Sequence, residues 1–345
     1  MIDMSMNFKR KMPIPKRIKE RFPLSEELER EKKERDQKIA DVFTGKSTKK
    51  LLIVGPCSAD REKSVLDYVS RLAKLQEEVS DKLIIIPRIY TNKPRTLCDG
   101  YMGMIYQPDP GKAEDILEGI LSVRNLHLNV IKETGLSGAD EMLYPEDYRY
   151  ISDLVSYVAI GARSVENQQH RLTASGIDVP VGIKNPMNGS VNVLMNSIKA
   201  VQNEHTFLYR GWEVDSTGNP LAHAVFRGSV NQRGENIPNY YYENIEQLYK
   251  CYLEEKLANP SLIIDTNHSN SNKRPLEQIR ICREVLGFCR YSDEIKNLLK
   301  GFMIESYIEE GNQPVTGSVY GKSVTDPCLG WKNTKKLICE IAEMI

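Results

Sequence analysis

From Leu51 onward, short apolar runs rich in Val, Ile and Leu alternate with longer amphipathic stretches. That rhythm belongs to βα units around a parallel sheet, whose strands are buried on both faces and read as nearly unbroken apolar runs. The runs predict strands at residues 51–54, 83–87, 139–143, 158–161, 179–184, 206–209, 262–266 and 301–305, with an extra strand near 222–227. The amphipathic stretches predict helices at 63–79, 113–133, 146–155, 191–201, 243–257 and 276–286, long enough to cross back over a sheet. Eight parallel strands predict an α/β fold of the (β/α)8 TIM-barrel kind, with an extra β-strand pair inserted near strand 6. The rival, an open doubly wound sheet, expects a glycine-rich turn after the first strand, whereas the turn here reads GPCSAD.

Ahead of this alternation lies a charged leader, so the expected organisation is an N-terminal helical extension over residues 1–50, serving oligomer contact or regulation, and a catalytic barrel over 51–345. After Pro23 the run SEELEREKKERDQKIADVF scatters Leu28, Ile39, Val42 and Phe43 among charges and stops at Gly45, which predicts a largely solvated helix with a glycine cap. No apolar stretch is long enough to span a bilayer and the leader has no apolar core, so a soluble, cytoplasmic protein is expected. Forty-seven Lys and Arg cancel forty-seven Asp and Glu, which argues against a nucleic-acid footprint and favours small-molecule substrates. The seven cysteines form no C-x-x-C pair, so reduced thiols are expected.

In a barrel, residues that end the strands face one shared bowl. Here those residues are Cys57, Arg88, Glu141, Arg163, Lys184, Arg227, His268 and Glu305. The cations, joined by Lys93 and Arg95 of the string KPRT, would repel one another unless a ligand with several negative charges lay among them. Cys57, His268 and Glu305, with Asp326 of KSVTDPC, offer a thiolate, an imidazole and two carboxylates. That donor set suits one divalent ion of the manganese, iron, cobalt or zinc kind better than magnesium. Neither a G-x-S-x-G elbow nor a phosphate-binding G-x-x-x-x-G-K-[ST] loop is present, while a Schiff base through Lys93 or Lys184 stays open.

Taken together and in order, GPCS, RIYTNKPRT, GARSVENQQHR, VGIKN, FRG, IIDTNHSNS, MIESYIEEGNQ and YGKSVTDPCLGW closely resemble the type I family of 3-deoxy-D-arabino-heptulosonate 7-phosphate (DAHP) synthases, over about residues 50 to 335. KPRT discriminates most, because the related octulosonate phosphate synthases carry a different motif where the acceptor sugar phosphate binds. The resemblance implies a transferase in aromatic amino-acid biosynthesis, assembled as a homodimer or homotetramer. Its substrates would be phosphoenolpyruvate and erythrose 4-phosphate. It makes Cys57, His268, Glu305 and Asp326 the metal ligands, and Arg88, Lys93, Glu141, Arg163, Lys184 and Arg227 the phosphoenolpyruvate pocket. Arg95 and Thr96 would hold the acceptor's phosphate, and Lys93, Cys57 and His268 would be the catalytic groups.

The chain departs from the pattern at Met102, where many members carry lysine in a G-W-K-G or G-Y-K-G string, and at Tyr148 and Arg149, where proline and glutamine are familiar. Loss of a cation at Met102 is the feature that favours a paralogue using another aldose phosphate, or a non-catalytic barrel that binds phosphorylated metabolites.

Overall fold

The computed structural model describes residues 5–95, 97 and 100–345. Eight strands form one parallel sheet: β1 (Lys50–Gly55), β2 (Leu83–Pro87), β3 (Gly138–Glu141), β4 (Val155–Ile160), β5 (Val181–Lys184), β6 (His223–Phe226), β7 (Leu262–Asp265) and β8 (Leu299–Glu305). Their order is β2-β1-β8-β7-β6-β5-β4-β3, and a bridge between Arg88 and Ala139 joins the two ends into a nearly closed barrel. Every residue of these strands is buried, as a sheet sandwiched between packed interior and covering helices requires. The tightest approach is at Gly301, where a Cβ would lie 1.8 Å from the Leu51 carbonyl oxygen as β8 passes β1.

The covering helices follow the expected pattern, among them Glu62–Val79, Ile116–Thr134, Val191–Gln202, Tyr242–Glu254 and Glu277–Phe288. Asp115 fixes the start of the second by accepting hydrogen bonds from the Leu117 and Glu118 amides, and Gly135, at φ 68°, ends it. The expected helix at 146–155 shrinks to Pro145–Tyr148, because Val155 already begins β4. No helix among the described residues is long and apolar enough to cross a membrane.

The sixth strand corrects the sequence reading. Residues 206–209, taken there as a barrel strand, belong to His205–Tyr209, which pairs antiparallel with Trp212–Ser216 as a separate hairpin. The supposed extra strand is β6 itself, seated between β5 and β7. The physical distinction is burial: His223–Phe226 is enclosed on both faces, whereas along the hairpin exposure alternates, leaving Leu208 79% and Trp212 72% exposed.

The leader helix Glu26–Phe43 starts at Ser25, whose hydroxyl accepts from the Leu28 amide. Its last turn is not solvated: Ile39, Val42 and Phe43 are buried against the barrel interior, in one cluster with Leu51, Ile53, Tyr157, Val225, Ile263 and Met303. Phe43 sits 4.3 Å, ring to ring, from His223. His223 Nδ1 faces the Leu221 carbonyl at 2.8 Å, so it carries the proton, and Nε2 accepts from the Tyr157 hydroxyl at 2.9 Å. The helix therefore floors the barrel at the end opposite the strand C-termini.

Candidate active site

At the C-terminal ends of the strands lies a cavity of about 450 Å³, lined by Cys57, Arg88, Lys93, Arg95, Glu141, Arg163, Lys184, Arg227, His268 and Asp326. Glu305 is fully buried just behind this lining, its carboxylate within 4.8 Å of the Cys57 thiol and the Asp326 carboxylate. The structure thus gathers the sequence-derived residues into one bowl. Thr96 lies outside the described residues, and the Met102 side chain is not among the groups lining the bowl. Met102 instead contributes its carbonyl, which accepts from the Lys93 amide at 3.0 Å.

One side of the bowl is built from donor atoms. The thiol of Cys57 and carboxylate oxygens of Glu305 and Asp326 lie within 4.8 Å of one another, with Cys57 Sγ 3.4 Å from Asp326 Oδ2. His268 Nε2 is 3.6 Å from Glu305 Oε1, while His268 Nδ1 is 3.0 Å from Asp265 Oδ1. A proton on Nδ1 shared with that carboxylate leaves the Nε2 lone pair facing Glu305 and the bowl, the arrangement metal-bound imidazoles generally have. His268 holds this pose at φ 50°, a left-handed backbone unusual for histidine, and Asn272 and Lys273 follow at 53° and 56°.

The same side holds a cation of the protein's own. Lys93 Nζ donates to Cys57 Sγ at 2.8 Å and to Asp326 Oδ2 at 2.9 Å, and Lys273 Nζ donates to Asp326 Oδ1 at 2.8 Å. Burial pushes the Cys57 thiol up to about 11, and the Glu305 charge adds to this while Lys93 opposes it. Burial also works against ionised Asp326, yet Lys93 and Lys273 hold it well below the usual carboxylate range. A thiol and two carboxylates packed this closely demand positive charge among them, which is the chemistry of a divalent-ion site, so the residues fit such an ion.

Across the bowl, Arg163, Lys184 and Arg227 rise from consecutive strand ends. Burial lowers the Arg227 pKa and the neighbouring Arg163 charge lowers it further, while the Asp265 carboxylate opposes both; two guanidinium groups this close favour an anion between them. Lys184 pairs with Asp265 at 3.1 Å, so one buried carboxylate ties the cationic wall to His268. Arg88 is committed differently: its guanidinium donates to the carbonyls of Pro56 and Cys57, pairs with Glu305 at 3.0 Å, and stacks 3.7 Å over the Tyr90 ring. It shapes the GPCS turn as much as it lines the cavity.

The sequence reading passed over Asp265, Asn267 and Lys273. Asn267 donates to Glu305, fixing the carboxylate opposite Arg88. All three lie in or beside the string DTNHSNSNKR, whose density of small polar groups masks which ones turn inward.

A profile described as the DAHP synthetase I family matches residues 22–338. The Tyr-sensitive phospho-2-dehydro-3-deoxyheptonate aldolase of Escherichia coli K12 is 36% identical over 336 residues, covering 95% of this chain and 91% of the relative. The corresponding aldolase of Haemophilus influenzae is 32% identical over 340 residues, covering 96% and 91%. Among solved structures, the phospho-2-dehydro-3-deoxyheptonate aldolase of Francisella tularensis SCHU S4 superposes with a TM-score of 0.90 at 29% identity, covering 98% of each chain.

Proposed function

Because this chain belongs to the DAHP synthetase I family, we propose that it condenses phosphoenolpyruvate with erythrose 4-phosphate, giving 3-deoxy-D-arabino-heptulosonate 7-phosphate and inorganic phosphate. One observation carries this reading beyond the family: the bowl is divided between a cationic wall, Arg163, Lys184 and Arg227, and a donor cluster, Cys57, Glu305 and Asp326 with His268 beside Glu305, and Lys93 is on the donor side. That division fits a substrate rich in phosphate and carboxylate opposite an aldehyde that needs activation.

In the proposed reaction the cationic wall binds the phosphate and carboxylate of phosphoenolpyruvate and so aims its C3 at the aldehyde, which saves the entropy of bringing two reactants together. Cys57, His268, Glu305 and Asp326 would hold a divalent metal ion, which when bound supplies Lewis-acid polarisation of the aldehyde. Lys93 Nζ, kept protonated by Cys57 and Asp326 against the effect of burial, donates to the alkoxide that develops as the C–C bond forms. Arg95, whose Nε donates to the Tyr101 carbonyl at 2.9 Å, holds the acceptor's phosphate together with Thr96. Water adds at C2 and the C–O bond to phosphate breaks, so carbon, phosphorus and charge balance. A homodimer or homotetramer belongs to the same proposal, supported by exposed Leu208 and Trp212 on the hairpin.

The test follows loss of the phosphoenolpyruvate double bond by ultraviolet absorbance, with metal-loaded protein and either erythrose 4-phosphate or arabinose 5-phosphate. Chelator-sensitive turnover with the four-carbon sugar alone is expected. Preference for the five-carbon sugar, or no turnover while metal stays bound, overturns the assignment.

A further inference from the structure

The seam between β2 and β3 is the thinnest in the barrel, and what finishes it is a side chain. Beyond the Arg88 to Ala139 bridge, the Ile89 amide still donates to the Ala139 carbonyl at 2.9 Å, and there the ladder stops. The next inward-facing donor, the Thr91 amide, goes to Asp140 Oδ1 at 2.9 Å, and the Thr91 hydroxyl goes to Oδ2 at 2.5 Å. Asp140 Oδ1 also accepts from the Glu141 amide at 2.7 Å. One buried carboxylate thus receives three donors and takes the place of a ladder rung, which lets the chain after β2 peel away from β3.

What peels away is the segment that delivers Lys93. The Thr91 carbonyl accepts from the Ile105 amide at 3.3 Å, and the Lys93 amide donates to the Met102 carbonyl at 3.0 Å, so residues 93–102 are pinched at their base. Gly103, at φ 103°, brings the returning strand of that loop so near that a Cβ would lie 2.4 Å from the Thr91 carbonyl oxygen. Thr91 is therefore clamped from both sides, by Asp140 on one and by Gly103 and Ile105 on the other. Two residues later Lys93 Nζ meets Cys57 and Asp326.

We infer that Asp140 is a positioning residue for the reaction: by holding Thr91 it sets where Lys93 and the KPRT loop stand relative to the donor cluster. It does not line the bowl itself, and on its other side Oδ2 lies 3.5 Å from His127 Nε2 on the covering helix. The inference rests on the proposed condensation for its kinetic consequence, but not for its structural one. A positional error of about an ångström at a proton donor is enough to lower turnover by about a hundredfold.

The experiment compares Asp140→Ala, Thr91→Val and Asp140→Asn in the full chain loaded with manganese. Asp140→Ala is expected to lower kcat by about a hundredfold and to change KM for phosphoenolpyruvate far less, since Arg163, Lys184 and Arg227 of the cationic wall do not touch Asp140 while only Lys93 and Glu141 adjoin its contacts. Thr91→Val removes only the hydroxyl bond and serves if the alanine variant fails to fold; about a tenfold fall in kcat is expected. Asp140→Asn keeps an oxygen for both amides and is expected to restore most of the rate. Hydrogen exchange should rise at the amides of Thr91, Lys93 and Ile105 and at Glu141, whose amide also donates to Asp140, and not in the rest of the barrel. Unchanged kcat in folded variants, or losses that merely track a lower melting temperature with exchange raised throughout, overturns the inference. If the unaltered protein fails to condense the sugar, the proposed function falls, and the exchange pattern alone decides the role of Asp140.

Discussion

Protonation of His223 should be the main acid weakness of the barrel floor. Its imidazole is enclosed by Phe43, Tyr157 and the β6 backbone, and burial pushes its pKa down to about 4, while the carbonyl of Leu221 opposes this and Lys300 adds to it. In the unfolded chain the same group titrates near its ordinary value of about 6.5. Below that value the unfolded chain binds a proton that the folded protein refuses, so stability falls as pH drops from about 6.5 towards about 4. The full loss is about 3 kcal/mol, and about 2 kcal/mol of it is already felt at about pH 5. The assay is urea unfolding at about pH 7.5 and about pH 5, run in parallel on the unaltered protein and on His223→Gln. The glutamine does not titrate and retains a donor and an acceptor. The variant should start less stable but lose about 2 kcal/mol less on acidification. Equal losses in both proteins would refute the reasoning, as would an NMR titration placing the imidazole near its ordinary pKa.

Phe43→Ala should cost about 3 to 5 kcal/mol and lower the urea midpoint without shifting substrate KM, since the ring is buried at the floor, far from the bowl. Asp265→Asn should weaken metal affinity by about ten- to a hundredfold, read by competition with a chromogenic chelator, because the His268 Nδ1 proton loses its charged acceptor. Arg227→Ala should raise KM for phosphoenolpyruvate at least about tenfold while leaving metal content unchanged. Exhaustive chelation should abolish turnover, manganese should restore it in the unaltered protein, and Asp326→Ala should take up less metal when assayed by elemental analysis.

How much of this was legible in the sequence depended on whether a residue's role is local. The strand-end residues could be read because periodicity fixes which residues end strands, and the barrel then carries them all to one face. The sixth strand was misread because Thr206–Tyr209 and His223–Phe226 are both short and β-prone. Only three-dimensional burial separates a hairpin exposed on one face from a strand enclosed on both. Asp265 escaped notice because a carboxylate closing a strand is commonplace in sequence, and its pairing with both Lys184 and His268 is a fact of packing. The dual duty of Arg88 was equally hidden, since its carbonyl acceptors at Pro56 and Cys57 lie on a neighbouring strand's turn. In the leader helix, Ile39, Val42 and Phe43 are few among many charges, and nothing in the helix itself says that an open barrel end awaits them.

That floor bears on how the chain is made. Its helix leaves the ribosome before any strand, while β1 waits for β8, more than two hundred residues later, to complete its pairing at Leu51 and Gly301. Until then the apolar turn at Ile39, Val42 and Phe43 has no finished cavity to enter. A newly made chain must carry this greasy patch through most of its synthesis, and the Lys, Arg and Glu that precede it along the helix are the kind of charged flank that disfavours association.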